Sequence, residues 1–242
     1  MMVMIKKMIK NNMKNVGLLV IATGKYKVFL ENLIKSADNW FLKNHNVTYF
    51  LFVDEKVDIK SERNIVQTII EHKPWPFPTL LRYKHFTDNS SIFESMDYLY
   101  YVDSDMIFEN KVDEEIFDDI VCVAHPWFIG NRGTPENDKK SLAYIPDNVN
   151  FQYMAGAFFG GTKDCILNMF GFISKQIDID YSRGVIAKWH DESHSNKFFI
   201  LYSTKVLPPE YCYNKQSYMC TNNKNWIPRV VQVLKNENEM RS

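Results

Sequence analysis

The sequence lacks a long apolar run, and it has no excess of charge of either sign. No stretch reaches the ~20 consecutive apolar residues that a membrane-spanning helix requires, so we predict no transmembrane segment. Lys and Arg together number 29, as do Asp and Glu, which gives a formal net charge of zero. Because nucleic-acid-binding proteins usually carry a basic excess, this balance argues against a nucleic-acid partner. Residues 1–15 also lack the apolar core of a signal peptide, and we predict a flexible extension there.

Cysteine is scarce as well, with four residues in the chain: Cys122, Cys165, Cys212 and Cys220. None of them forms a CxxC pair or has the spacing of a zinc site. Cys122 and Cys165 lie in apolar runs, which is typical of reduced thiols in a protein core. A disulfide between Cys212 and Cys220 remains the alternative. Together these features predict a protein of a reducing compartment, the cytoplasm.

What the sequence does contain is an alternation of strand-like and helix-like patterns. Short apolar runs predict strands at residues 15–22, 47–53, 65–70, 98–102 and 120–124. Helical spacing of apolar residues appears between them, at 26–41 and 79–93. Alternation of this kind predicts a doubly wound α/β unit with a mostly parallel sheet.

The second half of the chain continues the domain with longer and less regular segments. An apolar segment bounded by glycines spans 153–161, a helical pattern follows around 166–177, and a shorter helix is predicted after Trp189. A β-like run at 230–234 precedes a polar end. We predict one domain over residues 16–234 and a flexible C-terminal tail over 235–242.

The clearest chemical signal is Asp103-Ser104-Asp105, which directly follows the predicted strand 98–102. Open α/β sheets bind ligands at the carboxyl ends of their strands. Two carboxylates one residue apart can both approach a hard divalent cation and leave positions for phosphate oxygens and water. The alternative is an ordinary polar turn.

Two further segments carry candidate functional groups. Trp189-His190-Asp191-Glu192-Ser193-His194 places four titratable side chains in six positions, as either a carboxylate site or a charged helix start. A zinc pair of His190 and His194, four residues apart, is a further alternative. The small residues of the 153–161 segment indicate either close approach of a ligand to the backbone or tight internal packing.

Taken together, these pieces resemble glycosyltransferase family 6, the family of the histo-blood-group A and B transferases, from about residue 16 to residue 241. The most specific matches are Ala143-Tyr144-Ile145-Pro146, Ala157-Phe158-Phe159-Gly160-Gly161, the Trp189 to His194 segment with Asn196-Lys197, and Leu207-Pro208-Pro209-Glu210-Tyr211. The resemblance implies a GT-A fold and a retaining transfer of galactose or N-acetylgalactosamine from a UDP-sugar, in α-1,3 linkage, to an oligosaccharide or glycolipid.

The resemblance also implies roles for individual residues. Donor-binding residues are implied at Ile21, Ala22, Thr23, Tyr26, Arg82, Asp103, Ser104, Asp105, Ala155, Gly156, Ala157, His190, Asp191, Lys235 and Arg241. Acceptor contacts are implied at His125, Thr134, Trp189 and Glu192, with Glu192 as the catalytic carboxylate. Many soluble bacterial-type members have Asn-X-Asn in place of Asp-X-Asp and work without metal. This chain keeps Asp103 and Asp105, so Mn²⁺ or another divalent cation is expected as cofactor. The alternative function is a catalytically inactive sugar-nucleotide or glycan-binding module of the same fold.

Overall fold

A computed structural model of the protein describes residues 13–241. The flexible extension predicted for residues 1–15 lies almost entirely outside this range, so it stays a prediction. Within the described part of the chain, no helix is both long enough and apolar enough to cross a membrane.

The centre of the molecule is a sheet of seven strands. They are β1 (Asn15–Ala22), β2 (Asn46–Val53), β3 (Asn64–Ile69), β4 (Tyr98–Val102), β6 (Ile120–Ala124), β7 (Met154–Thr162) and β8 (Lys205–Leu207), and their order is β3-β2-β1-β4-β7-β6-β8. Strand β7 runs antiparallel to β4 and β6, whereas the other neighbouring pairs in this sheet are parallel. A second sheet pairs β5 (Met106–Phe108) with β9 (Val230–Gln232). The mostly parallel α/β architecture predicted from the sequence is confirmed.

The helices are α1 (Leu30–Trp40), α2 (Phe77–Leu80), α3 (Arg82–Asp88), α4 (Lys163–Ser182), α5 (His190–Leu201), α6 (Tyr218–Asn222) and α7 (Glu237–Arg241). The helix predicted over 79–93 is wrong in its length, because α3 stops at Asp88 and a separate 3₁₀ turn covers Ser90–Phe93. The Asn89 side chain donates a hydrogen bond to the carbonyl of His85, and this local bond competes with continuation of the helix. The helix predicted over 26–41 likewise begins as a 3₁₀ turn, Gly24–Phe29, before α1.

Apolar residues cover both faces of the main sheet. Along β1, Leu18 and Val20 belong to one buried cluster, and Leu19 and Ile21 belong to another on the opposite face. A strand buried on both faces must be apolar at consecutive positions, which explains the unbroken run in the sequence. The strands also pack closely, since a Cβ atom at Gly160 would lie 2.2 Å from the Tyr100 ring.

The strand order creates a cleft between two neighbouring strands. From β1 the chain goes through β2 to β3 on one side and then returns to place β4 on the other side of β1. The loops that leave the carboxyl ends of β1 and β4 therefore diverge, and ligands of open α/β sheets bind at such a point. Thr23 follows β1 here, and Asp103 follows β4.

Candidate active site

A cavity of about 470 Å³ opens at the carboxyl ends of β1 and β4. Nine of the residues proposed from the sequence for donor binding line it: Ile21, Thr23, Tyr26, Arg82, Asp103, Ser104, Asp105, Lys235 and Arg241. The remaining ones, Ala22, Ala155, Gly156, Ala157, His190 and Asp191, lie outside its wall. The fold thus brings the ends of β1 and β4 together with the C-terminal tail, more than a hundred residues away in sequence.

Arg82, at the start of α3, connects the end of β4 with β7 and α5. Its guanidinium donates hydrogen bonds to Asp103 Oδ1 (3.0 Å) and to the Gly156 carbonyl (2.8 Å), and it lies 3.2 Å from Asp191 Oδ2. The guanidinium also stacks over the Tyr101 ring, 4.0 Å from its centroid. Arg82 is only 4% exposed, and among residues 13–241 its Nε has no hydrogen-bond partner. It therefore holds carboxylates from two elements at fixed positions and keeps one buried donor unused.

Asp105 is paired with a cation of the C-terminal tail. The Lys235 ammonium forms an ion pair with Asp105 Oδ2 and lies 4.9 Å from the centroid of the Tyr26 ring. Burial, and then the neighbouring Asp103, raise the pKa of Asp105, and Lys235 opposes this rise. Two carboxylates this close repel one another, so the site requires positive charge.

The tail itself forms one wall of the cavity. The sequence predicts a flexible segment over 235–242, and the structure has α7 within it, with the Arg241 guanidinium 3.8 Å from the centroid of the Trp75 ring. Trp75 also meets the His190 ring edge-on, at 5.1 Å between centroids. Burial and the nearby Arg241 charge both lower the pKa of His190. The flexibility of the tail over 235–242 stays a prediction.

Glu192 lies in the first turn of α5 and is held by β7. Its Oε2 accepts a hydrogen bond from the Gly156 N–H (2.8 Å), and its Oε1 accepts one from the Tyr153 hydroxyl (2.9 Å). A Cβ atom at Gly156 would lie 3.2 Å from Oε2, so glycine lets the carboxylate approach the strand. Burial raises the pKa of Glu192 to about 7 against the effect of these two hydrogen bonds, and burial likewise raises the pKa of Asp191 to about 6 against the attraction of Arg82.

The three other residues proposed for the acceptor lie around the same carboxylate. The His125 ring packs against Tyr153, whose hydroxyl binds Glu192, and Trp189 Nε1 donates a hydrogen bond to Thr134 Oγ1 (2.8 Å). Burial lowers the pKa of His125 to about 4, so the ring is neutral near pH 7. Its Nδ1 accepts a hydrogen bond from the Trp127 N–H (3.2 Å), which assigns the ring proton to Nε2.

The zinc pair considered for His190 and His194 is wrong. His194 is buried with its Nε2 3.6 Å from Asp180, whereas His190 packs on Trp75, which lines the cavity. Within residues 13–241, no group of three or more His, Cys, Asp or Glu side chains is arranged to hold a metal ion. The four cysteines are all free, so the disulfide considered between Cys212 and Cys220 is absent from the described residues.

Sequence reasoning missed several residues of this site. Tyr101 donates a hydrogen bond of 2.6 Å to Asp103, His72 contacts Thr23 through Nδ1 (3.0 Å), and Trp75 supports both α7 and α5. Tyr153 binds Glu192 across 39 positions of sequence. Only Trp75 had a local signal, since it lies between two prolines, Pro74 and Pro76, which disfavour regular structure.

Comparisons with known proteins agree on one family. The family model of glycosyltransferase family 6 matches residues 2–242. Histo-blood group ABO system transferase 2 of Rattus norvegicus is 35% identical over 215 residues, which cover 83% of this chain and 64% of the rat protein. Globoside alpha-1,3-N-acetylgalactosaminyltransferase 1 of Gallus gallus is 30% identical over 213 residues, which cover 82% of this chain and 62% of the chicken protein. The chain thus spans a little less than two thirds of the length of these relatives.

Proposed function

The chain belongs to glycosyltransferase family 6, and we propose that it transfers galactose or N-acetylgalactosamine from a UDP-sugar, with retention, to form an α-1,3 linkage. The proposed acceptor is a glycan that ends in a galactoside. The chicken relative is named an alpha-1,3-N-acetylgalactosaminyltransferase and the rat relative a histo-blood group transferase, which supports the same chemistry here.

The observation that carries the proposal is the charge arrangement of the cavity. Asp103 and Asp105 line the same space of about 470 Å³ as two tail cations, Lys235 and Arg241. A nucleoside diphosphate bound with a divalent cation has complementary charge, because the cation faces carboxylates and the phosphates face ammonium and guanidinium groups.

The carboxylate pair fits a hard divalent cation. Burial and repulsion from Asp103 raise the pKa of Asp105, and Arg82 and Lys235 supply two positive charges against the three carboxylates Asp103, Asp105 and Asp191. A cation such as Mn²⁺ would bind Asp103 and Asp105 and complete its coordination with phosphate oxygens and water. When bound, it would neutralise the charge that develops on the leaving UDP.

The donor sugar is proposed to lie between the cavity and Glu192. Arg82 and Asp191 are held there in direct contact, and the buried Arg82 Nε is a donor without a partner in the described part of the chain. A sugar hydroxyl has the chemistry to accept this hydrogen bond. Ala155 and Ala157 of β7 flank Gly156, which touches Glu192, and their side chains are proposed to shape the pocket around the sugar.

Glu192 is the proposed catalytic residue. Sugar transfer builds positive charge at the anomeric carbon, and retaining enzymes place a carboxylate beside it. The Gly156 N–H and the Tyr153 hydroxyl fix both oxygens of Glu192 and favour its charged form. The neutral His125 ring is proposed to donate its Nε2 proton in a hydrogen bond to the acceptor, which orients the attacking hydroxyl.

A donor and acceptor screen tests this function. The full-length protein is incubated with Mn²⁺, each UDP-sugar in turn and a simple β-galactoside, and both UDP release and the product linkage are measured. We expect transfer from UDP-galactose or UDP-N-acetylgalactosamine, and loss of transfer in Glu192→Gln. UDP binding without turnover for any donor would instead favour the inactive binding module, and failure to bind UDP at all would overturn both.

A further inference from the structure

Residues 131–150, called the acceptor loop here, contain no helix or strand. This loop carries Thr134, one of the proposed acceptor contacts. The loop has backbone hydrogen bonds of its own, such as the one from the Ile145 N–H to the Glu136 carbonyl (3.0 Å), but within the described residues none of them involves Thr134. Other parts of the protein must therefore set its position.

Glu136 is the buried acidic side chain of this loop, with only 3% of its surface exposed. Its Oε1 accepts a hydrogen bond from the Asp138 N–H (2.7 Å), inside the loop. Its Oε2 accepts one from the Lys188 N–H (2.5 Å), 52 positions away. The Glu136 carboxylate also acts on the buried His194 ring, where it opposes the lowering of the His194 pKa by burial. The two oxygens of Glu136 are therefore each held by a backbone N–H group, one from the loop itself and one from the segment before α5.

The segment that contains Lys188 lies directly before Glu192 in the chain. Lys188 is followed by Trp189, whose Nε1 donates a hydrogen bond to Thr134 Oγ1 (2.8 Å). The Trp189 carbonyl in turn accepts the Glu192 N–H (3.0 Å) at the start of α5. Two neighbouring hydrogen bonds thus fasten the acceptor loop to the segment that positions Glu192. In one, the Lys188 N–H donates to Glu136, and in the other, the Trp189 ring donates to Thr134.

The rest of the loop is fastened independently. Asp180 of α4 accepts hydrogen bonds from the Ser141 hydroxyl (2.6 Å) and the Leu142 N–H (3.0 Å), and Lys197 of α5 binds the Tyr144 carbonyl (3.0 Å). These contacts hold the far part of the loop without the side chain of Glu136. A change at Glu136 should therefore shift the part next to Thr134 and leave the rest of the fold in place.

We propose that Glu136 is a positioning residue that sets the distance between the acceptor subsite and Glu192 without touching either substrate. This inference rests on the proposed function, because it assigns the loop to the acceptor. Gln cannot replace Glu136, since a glutamine has one oxygen acceptor, and its NH₂ group would face the second backbone N–H.

The test compares Glu136→Gln with Asp138→Asn, a matched control that removes one carboxylate from an exposed position of the same loop. Three quantities are measured on the full-length protein: the KM for a β-galactoside, the affinity for UDP, and hydrolysis of the UDP-sugar without acceptor. For Glu136→Gln we expect the acceptor KM to rise by about tenfold, as for a buried charged group that loses one hydrogen bond. UDP affinity and donor hydrolysis should stay close to wild type, and Asp138→Asn should leave all three unchanged.

Hydrogen exchange in the free protein gives a readout that does not depend on activity. In Glu136→Gln, amide exchange should become faster at 134–138 and at 188–192 and stay unchanged at 141–144. If Glu136→Gln does not fold, Glu136→Asp keeps the charge with a shorter reach and should show the same pattern to a smaller degree.

Two outcomes would overturn the inference. One is an unchanged acceptor KM with unchanged exchange, and the other is a parallel loss of UDP affinity, donor hydrolysis and acceptor affinity, which indicates general destabilisation. Failure of the wild-type protein to bind UDP or transfer sugar would refute the proposed function instead. The exchange data would then still decide whether Glu136 holds the loop.

Discussion

Glu192→Gln should stabilise the protein at pH 8 while abolishing the proposed transfer activity. Burial raises the pKa of Glu192 from 4.5 to about 7 in the folded protein. A folded-state pKa above the unfolded value means that the folded protein binds this proton more tightly. The resulting stabilisation is complete below pH 4.5 and is lost as the pH rises through 7. At pH 8 the folded state therefore carries the cost of a buried carboxylate.

The size of this cost follows from the pKa values. Each tenfold change in the acid dissociation constant corresponds to about 1.4 kcal/mol, so the charged Glu192 costs at most about 3 kcal/mol at pH 8. Gln removes the charge, but its single side-chain oxygen can accept from only one of the two donors, the Gly156 N–H and the Tyr153 hydroxyl. The lost hydrogen bond costs about 1 kcal/mol. Glu192 is partly exposed, and solvation by water reduces the cost of its charge in the folded protein. A net gain of about 1–2 kcal/mol at pH 8 and about zero at pH 5 is expected.

Thermal unfolding at the two pH values measures this difference. For a chain of 242 residues, 1–2 kcal/mol corresponds to a rise in Tm of about 2–4 °C at pH 8. Asp164→Asn, which removes an exposed carboxylate of α4, is the control and should change Tm equally at both pH values. A Glu192→Gln variant that is equally or less stable than wild type at pH 8 would refute the reasoning. It would mean that the hydrogen bonds from Gly156 and Tyr153 outweigh the burial of the charge.

Three further predictions concern the cavity. Asp105→Ala should cut transfer by orders of magnitude with little effect on Tm, because a metal ion that neutralises a leaving group contributes several kcal/mol. Full activity of the wild-type protein in excess EDTA would contradict this expectation. Deleting residues 235–242 should leave Tm nearly unchanged but weaken UDP binding measured by calorimetry, since Lys235 and Arg241 would no longer face the diphosphate. A normal UDP affinity would show that the tail has no part in binding. Ala157→Gly should move the ratio of kcat/KM toward UDP-N-acetylgalactosamine by an amount worth about 1–3 kcal/mol at most, as one methyl group in a pocket usually does; an unchanged ratio for the two donors would remove Ala157 from the sugar pocket.

The sequence by itself determined the fold class and most of the strands. The runs at 15–22 and 98–102 are apolar at consecutive positions because both faces of these strands are buried, and burial on two faces leaves a pattern that is readable locally. The pair Asp103 and Asp105 was also readable, since a polar motif that follows a buried strand marks the ligand-binding edge of the sheet. The helix over 79–93 was the main local error, because the side-chain bond from Asn89 to His85 ends α3 early.

The connections between distant residues were decided only by the tertiary structure. Lys235 pairs with Asp105 across 130 positions, Arg82 with Asp191 across 109, and Glu136 binds the Lys188 N–H across 52. No local pattern predicts these partners, because hydrogen bonds and ion pairs depend on distances that exist only after the strands have taken their order in the sheet. Burial has the same origin: the pKa of Glu192 rises because β7 and α5 enclose a side chain that the sequence shows only as one acidic residue among polar neighbours.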